Sequence, residues 1–195
     1  MIQPSEKHEV RRRLRRARQA IPPIKRQRAE QRINRLLKGY LKRGKRLAVY
    51  WPIGSELRLN GLVAAARARG TQLYLPYIQP GKQRLWFTPY PASGRPERLR
   101  KGKLRIPQFA GQKIRIHNLH GIIIPLIGID SRGYRMGQGG GFYDVTLAAT
   151  RHRLCPLKIG AGFACQQTDS LPTESHDMRL DIWVCETGIR HFGKH

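Results

Sequence analysis

The spacing of apolar residues predicts two helices at the start of the chain. One is expected over residues 5–20 and the other over 24–41, because apolar positions recur there at helical intervals. Pro22 and Pro23 lie between them, and a proline pair ends one helix and can open the next. The positions expected to face the core are Val10, Leu14, Ala17 and Ile21 in the first helix and Ile33, Leu36, Leu37, Tyr40 and Leu41 in the second.

Short apolar runs further along the chain predict strands. Residues 46–51 and 72–76 are expected strands that flank an Ala-rich helix, which Asn60 would cap and Gly70 would end. Such a βαβ unit favours parallel strands joined by a right-handed crossover. Further strands are expected at 85–87, 121–126, 158–163 and 181–185, and a further helix at 142–153.

These elements predict an α/β fold. The run at 121–126 is apolar on both faces, as is typical of a strand in the middle of a covered sheet. A length of 195 residues suits one domain. We therefore expect a single domain over residues 1–195, with a mostly parallel central sheet flanked by helices. An N-terminal helical pair, within the basic segment 1–44, would pack against it.

The composition limits where the chain is expected to act. It has no apolar run of about 18 residues and no apolar stretch beside its charged N-terminus, so neither a membrane span nor a secretory signal is predicted. We expect a cytoplasmic protein with no membrane partner. Three cysteines without metal-ligand spacing are expected to be reduced, namely Cys155, Cys165 and Cys185.

The positive charge of the chain is extreme and uneven. The net charge is +26, and residues 1–46 hold 17 Lys and Arg against three Glu. Such an excess favours anionic partners, which include nucleic acid, anionic lipid and polyanionic small molecules. The charge does not choose among them, and a merely solvated basic surface is the alternative.

A glycine-rich segment follows the expected strand at 121–126. Glycine accepts positive φ and lets the backbone approach a ligand closely, so its N–H groups can face an anion. Before a helix, such a loop can bind phosphate, and the flanking Arg135 could add charge-assisted hydrogen bonds. The pattern is neither a Walker motif nor a Rossmann fingerprint, and a mobile surface loop is the alternative. The glycines are Gly137, Gly139, Gly140 and Gly141.

Three polar loops are expected at one edge of the sheet. They are the loop with Glu56, the glycine loop, and the loop that ends with His176 and Asp177. Ligands of open α/β sheets bind outside the carboxyl ends of the strands, so a single site is expected there.

Several charged side chains of these loops and of the first helix could contribute chemistry. Asp144 and Asp177 could bind Mg²⁺ together with substrate phosphates, or could form a surface ion pair and a turn cap. Glu56 could accept hydrogen bonds from a heterocycle, or be an ordinary exposed Glu. Lys7 and Arg11 share a helix face and could reach a phosphate, or be solvated.

Two further residue types are weaker candidates. His176 could be a base, although a single His beside an Asp is more often structural. The cysteines have no evident His partner, so nucleophilic catalysis is not expected.

Five segments, in this order along the chain, resemble the 5-formyltetrahydrofolate cyclo-ligase family (5,10-methenyltetrahydrofolate synthetase). The most specific is the glycine segment, which resembles the family signature D-x-x-G-x-R-L-G-x-G-G-G-Y-Y-D. The resemblance covers nearly the whole chain. The five segments are Lys7–Arg11, Tyr50–Glu56, Arg105–Gln108, Pro125–Asp144 and Cys165–Asp177.

The resemblance implies an ATP- and Mg²⁺-dependent ligase. The γ-phosphate of ATP would be transferred to the formyl oxygen of 5-formyltetrahydrofolate, which would give an iminium phosphate. Attack by N10 would close the ring, and phosphate would leave to give 5,10-methenyltetrahydrofolate. No enzyme nucleophile is needed, and catalysis would come from positioning and charge stabilisation.

The resemblance also implies roles for particular residues. Lys7 and Arg11 would bind ATP, Asp144 and Asp177 would bind Mg²⁺, and Glu56 would bind the pterin with Trp51 beside it. The catalytic residues would be Arg135, set against phosphate oxygens, and Tyr143, which with Phe142 would lie beside the formyl group. The ATP loop would consist of Arg135, Met136, Gly137, Gln138, Gly139, Gly140, Gly141, Phe142 and Tyr143.

The sequence departs from the family pattern in a few places. Met136 replaces the usual Leu, Phe142 replaces the common first Tyr, and Val145 stands where Arg is frequent. The charge is also more basic than expected, which could attract a folate polyglutamate tail or give nucleic-acid binding as a side property. The rival hypothesis is a nucleic-acid-binding protein on a retired ligase scaffold. In either case we expect a monomer.

Overall fold

Two helices precede a central sheet. A computed structural model describes residues 4–92, 98–99 and 106–193. The α-helices are α1 (Pro4–Gln19), α2 (Pro23–Leu37), α3 (Asn60–Ala68) and α4 (Phe142–Ala148). Short 3-10 turns occur at Lys38–Tyr40, Ile116–Asn118 and Ala164–Gln166.

The strands are mostly short. They are β1 (Arg46–Ala48), β2 (Gln72–Tyr77), β3 (Trp86–Pro89), β4 (Arg98–Leu99), β5 (Pro107–Gln108), β6 (Gly121–Ile124), β7 (Gly128–Asp130), β8 (Arg135–Met136), β9 (Leu157–Ala161), β10 (Gln167–Thr168), β11 (Ile182–Cys185) and β12 (Gly188–His191). Every strand predicted from the sequence is present, although several are shorter than expected.

The central sheet has seven strands in the order β12-β11-β9-β6-β1-β2-β3. Its five inner strands, β11 to β2 in that order, run parallel, and β3 and β12 add antiparallel edges. The expected parallel βαβ unit of β1, α3 and β2 is confirmed. The strand β6 lies in the middle of the sheet, as its apolar faces predicted.

Side chains of β6 alternate between two hydrophobic layers, as the two-residue period of a strand requires. Ile123 packs in the layer that contains the buried faces of α2 and α3. Ile122 and Ile124 pack on the opposite face, in the layer that contains Leu147 of α4 and Trp183 of β11. The sheet is therefore covered on both sides, and the α/β fold is confirmed. Among the described residues, no helix is long and apolar enough to cross a membrane.

A second sheet carries the glycine loop. It has three strands in the order β10-β7-β8, and the glycine loop starts where β8 ends at Met136. The sequence pattern did not predict this sheet, because strands of two or three residues show no measurable period.

Two details at helix α1 and helix α3 differ from prediction. Ala17 was expected to face the core, but it is exposed and the neighbouring Arg18 is buried instead. Asn60 was expected to cap α3, but it is the first helical residue and no side-chain cap forms there. The Leu62 N–H is instead satisfied by the side-chain oxygen of Asn34 of α2, at 2.8 Å, so the partner comes from a distant segment.

We expect Leu14→Ala to lower the free energy of unfolding by about 2–4 kcal/mol. Leu14 is 5% exposed and joins α1 to a small cluster with Ile127, Met136 and Leu171. Ile24→Ala is the matched control, because Ile24 is 66% exposed and its truncation creates no cavity. Urea unfolding of the variants measures the difference. Equal decreases in the free energy of unfolding for the two variants would show that packing of Leu14 in this cluster does not stabilise the position of α1.

Candidate active site

A cleft of about 610 Å³ opens at the carboxyl edge of the central sheet. The loop with Glu56, the glycine loop and the loop ending with Asp177 all border it, so their predicted convergence is confirmed. Every residue that the sequence proposed for the site lines this cleft, namely Lys7, Arg11, Trp51, Glu56, the ten residues Arg135–Asp144 and Asp177.

The glycine loop bends through backbone conformations that favour glycine. Gly139 has φ of 94° and Gly141, which precedes α4, has φ of 66°. Side chains other than glycine are strained there. A Cβ atom on Gly139 would also lie 3.7 Å from the guanidinium carbon of Arg11. The loop therefore lies closely against helix α1.

Helix α1 contributes two cations to the same end of the cleft. The Arg11 Nε donates to the Gly137 carbonyl oxygen at 3.1 Å. The Lys7 Nζ donates to Glu174 Oε1 at 2.5 Å and lies 3.9 Å from Asp177 Oδ2. Sequence reasoning gave Glu174 no role, although it lies within the C-terminal motif. Its hydrogen bond with Lys7 lowers the pKa of the Glu174 carboxyl.

The predicted phosphate-binding arginine is paired with a predicted metal ligand. Arg135 is buried; its Nη2 donates to Asp144 Oδ1 at 2.9 Å and its Nη1 donates to the Met178 carbonyl oxygen at 3.0 Å. The Met178 N–H also donates to Asp144 Oδ1, at 3.2 Å. Asp144 thus forms an ion pair, but with a buried partner and not at the surface as the sequence alternative had it. The metal role of Asp144 stays a prediction.

The two aspartates fit a magnesium ion that also binds phosphates. Asp144 and Asp177 line the cleft. Asp144 Oδ1 accepts from Arg135 and the Met178 N–H, Asp177 Oδ2 accepts the Glu174 N–H at 2.8 Å, and His176 Nε2 lies 3.9 Å from Asp177 Oδ1. Mg²⁺ typically takes one or two carboxylates and completes its shell with water and substrate phosphates. In the described ranges no three His, Cys, Asp or Glu side chains form a metal cluster, so phosphates would have to complete the shell.

Glu56 is buried at the floor of the cleft, with 8% of its surface exposed. The sequence alternative of an ordinary exposed Glu is therefore wrong. Its Oε2 accepts the Ile53 N–H at 3.1 Å and its Oε1 accepts from Gln138 Nε2 at 3.3 Å. Burial raises the pKa of the Glu56 carboxyl, although both hydrogen bonds act to lower it.

Aromatic side chains form the walls on either side of Glu56. Trp51 is 37% exposed and its ring centroid lies 5.2 Å from that of Phe109 and 6.1 Å from that of Tyr90. Phe142 and Tyr143 line the cleft from α4. Burial raises the pKa of the Tyr143 hydroxyl, which therefore stays protonated and able to donate a hydrogen bond.

One segment of the family pattern falls partly outside the described residues. Arg105 lies in the undescribed range 100–105. Gln108, at the other end of this segment, is buried and its Oε1 accepts the Ile78 N–H at 2.6 Å. Because Ile78 lines the cleft, this segment supports the wall of the site.

The central sheet is mostly parallel, and a cleft at its carboxyl edge holds a cationic glycine loop, two aspartates and a buried glutamate. This arrangement is typical of an α/β enzyme. The sequence model of the 5-formyltetrahydrofolate cyclo-ligase family matches residues 3–186. The chain belongs to this family of ligases of folate one-carbon metabolism.

Individual relatives agree with this assignment. The 5-formyltetrahydrofolate cyclo-ligase of Haemophilus influenzae is 27% identical over 184 residues, which cover 92% of this chain and 97% of the relative. That of Escherichia coli K12 is 29% identical over 148 residues, which cover 73% and 79%. The NMR structure of Aquifex aeolicus 5,10-methenyltetrahydrofolate synthetase superposes with a TM-score of 0.77 at 26% identity, covering 97% of this chain and 94% of the other.

Proposed function

We propose that this chain converts 5-formyltetrahydrofolate to 5,10-methenyltetrahydrofolate, with MgATP as the second substrate and with release of ADP and phosphate. The observation that carries the proposal is the single cleft, which joins a cationic glycine loop to a buried acid. A nucleotide and a second substrate can meet there, as transfer of a phosphoryl group between them requires.

The glycine loop and helix α1 suit the triphosphate of ATP. The glycine loop lies against the guanidinium of Arg11, which donates to the Gly137 carbonyl oxygen, and Lys7 lines the same cleft. Arg135 is held rigidly by Asp144 and by the Met178 carbonyl, so it is preorganised to stabilise charge on the transferred phosphoryl group. Asp144 and Asp177 would hold Mg²⁺, which would neutralise charge on the phosphates.

The other half of the cleft suits the folate. Glu56 offers carboxylate oxygens to the N–H groups of the pterin, and the burial of Glu56 strengthens such hydrogen bonds. Trp51 presents an aromatic face at the same wall. The protonated Tyr143 hydroxyl can donate to the formyl oxygen or to phosphate.

The proposed reaction needs no covalent bond to the protein. The formyl oxygen attacks the γ-phosphorus, the bond from that phosphorus to the β-γ bridging oxygen breaks, and ADP leaves. N10 then attacks the activated formyl carbon and loses its proton, and the carbon–oxygen bond breaks to release phosphate. Arg135 and Tyr143 line the cleft, and in this reaction their part would be to position the substrates and to stabilise charge on the transferred group.

An absorbance assay tests this proposal. Purified protein with 5-formyltetrahydrofolate should form methenyltetrahydrofolate, followed by its near-ultraviolet absorbance, only when both ATP and Mg²⁺ are present. Omission of each in turn provides the controls. No product from folded protein that binds ATP would overturn the proposal.

Nucleic-acid binding remains the second candidate function. Lys25, Arg28, Arg32 and Arg35 are exposed along one side of α2, and the described residues include no ion pair to any of them. Filter binding to RNA at low and moderate salt tests it, since phosphate contacts weaken steeply with salt. Salt-sensitive binding without ligase activity would favour this candidate, whereas binding together with activity would make it a side property.

A further inference from the structure

Arg18 is a buried cation on the cleft-facing side of helix α1. Lys7, Arg11, Leu14 and Arg18 follow one another at intervals of four, three and four residues, so they share one face of the helix. Only 4% of Arg18 is exposed. A buried guanidinium loses hydration and persists only where hydrogen bonds and charge compensate for that loss. The hydrogen-bond partners of Arg18 therefore indicate which segments its guanidinium positions.

The Arg18 side chain contacts two loops that border the folate half of the cleft. Its Nε donates to the Ser55 hydroxyl at 3.1 Å, and Ser55 immediately precedes Glu56. Its Nη1 donates to the Leu126 carbonyl oxygen at 3.4 Å, and Leu126 lines the cleft beyond β6. One guanidinium thus ties α1 to the turn that carries Glu56 and to the end of the central strand.

Arg26 of helix α2 holds the same turn from a second direction. Its Nη1 donates to the Ser55 carbonyl oxygen at 2.9 Å, and its Nη2 donates to the backbone oxygen of Arg18. The Arg26 guanidinium also lies 4.8 Å from the centre of the Phe163 ring. The Ser55 hydroxyl and carbonyl are therefore both engaged, which leaves Glu56 little freedom to leave the cleft floor.

The charge of Arg18 also acts on Glu56. Burial raises the pKa of the Glu56 carboxyl, and the nearby Arg18 charge opposes that rise. Tyr50 at the end of β1 and Tyr143 of α4 face Glu56 as well, and both hydroxyls stay neutral because burial raises their pKa values. Gln138 of the glycine loop adds a hydrogen bond without a charge. Arg18 is thus the cation that favours an ionised Glu56.

We propose that Arg18 is the positioning residue of the folate-binding acid: its guanidinium fixes the Ser55–Glu56 turn against helix α1 and the end of β6. This inference rests on the function proposed above and names a residue that is not among those lining the cleft. Because Lys7 and Arg11 lie on the same helix, α1 also sets the spacing between the nucleotide half and the folate half. The distance along α1 from Lys7 to Arg18 is about 16 Å, from a rise of about 1.5 Å per residue.

Steady-state kinetics of Arg18→Gln test the proposal. We expect the KM for 5-formyltetrahydrofolate to rise about 10- to 100-fold, the range for loss of one charge-assisted interaction, while the KM for ATP changes by less than about threefold. The acidic limb of kcat/KM for the folate should move to higher pH, because removal of the Arg18 charge raises the Glu56 pKa further. Arg18→Lys should return that limb toward its original position. Arg13→Gln, an exposed site on the same helix, is the matched control.

A second variant keeps the test decisive if Arg18→Gln does not fold. Ser55→Ala removes one acceptor of the Arg18 guanidinium and should raise the folate KM in the same direction but by less. Product from the unmodified protein, with an unchanged folate KM in both variants, would overturn the inference alone. Equal rises in both KM values with a lower Tm would assign Arg18 a structural role only. Absence of product from the unmodified protein would instead contradict the proposed function.

Discussion

Asp144→Asn is expected to lower kcat by about 10²- to 10³-fold in a protein that remains folded. The side-chain oxygen of the introduced asparagine can still accept from the Arg135 guanidinium and the Met178 N–H, which both bond to Oδ1 of the aspartate. The substitution removes the negative charge that would hold Mg²⁺ against the phosphates. Chemistry should therefore be lost while the local hydrogen bonds remain.

Two comparisons make the Asp144 prediction specific. Asp144→Ala should lose activity and also about 3 kcal/mol of stability, because it leaves the buried Arg135 without its carboxylate. Asp169→Asn, which neutralises an exposed carboxylate, is the control and should retain activity. Initial rates at a series of Mg²⁺ concentrations and thermal unfolding measure both effects. If the Asp144→Asn variant keeps the kcat of the unmodified protein, Asp144 has no role in catalysis.

The sequence predicted that three polar loops would meet in one cleft, and they do. The loop with Glu56 follows β1 of the parallel sheet, so its place at the carboxyl edge follows from topology. The glycine loop and the Asp177 loop instead follow β8 and β10 of the small sheet. Lys7 and Arg11 share a helix face by spacing alone. The roles of these residues came from the family resemblance, and they stay predictions here.

The sequence did not predict which polar groups are buried. The spacing of apolar residues in α1 favours Ala17 as the buried position, but Ala17 is exposed and the neighbouring Arg18 is buried, because the long polar side chain finds partners in distant loops. The burial of Glu56 depends on the turn that Arg26 and Arg18 hold, which joins segments more than 25 residues apart. Hydrogen bonds between distant segments depend on tertiary packing, so a local sequence pattern does not predict them.

The small sheet of β7, β8 and β10 illustrates the same limit. Its strands are only two or three residues long, and they pair Gly128 with Met136 and Ile129 with Gln167. Yet this sheet carries Arg135 into the cleft and fixes where the glycine loop begins. The sequence therefore predicted which residues form the glycine loop, but it did not predict the small sheet that positions the loop in the cleft.

Glu56→Gln is expected to raise the KM for 5-formyltetrahydrofolate by about 100-fold and to leave the KM for ATP nearly unchanged. Both oxygens of the carboxylate accept hydrogen bonds, whereas the glutamine amide has one oxygen acceptor and one NH₂ donor. The NH₂ group would therefore face either the pterin N–H groups or the Ile53 N–H, and two donors cannot form a hydrogen bond with each other. Separate KM measurements for the two substrates test this. Glu9→Gln, at an exposed position of α1, is the matched control.

The same substitution should stabilise the protein without substrate at neutral pH. Burial raises the folded-state pKa of Glu56 above its unfolded value, so its contribution to stability is full below the unfolded pKa of about 4.3 and is lost as pH rises through the folded pKa. Glu56→Gln should thus have the higher Tm at pH 7, and the difference should shrink as the pH falls toward 4. A lower Tm at pH 7 would contradict this, and would mean that the contacts of Glu56 outweigh its desolvation. A higher Tm together with a higher KM for the folate would show that the charged Glu56 lowers the stability of the protein while it improves substrate binding.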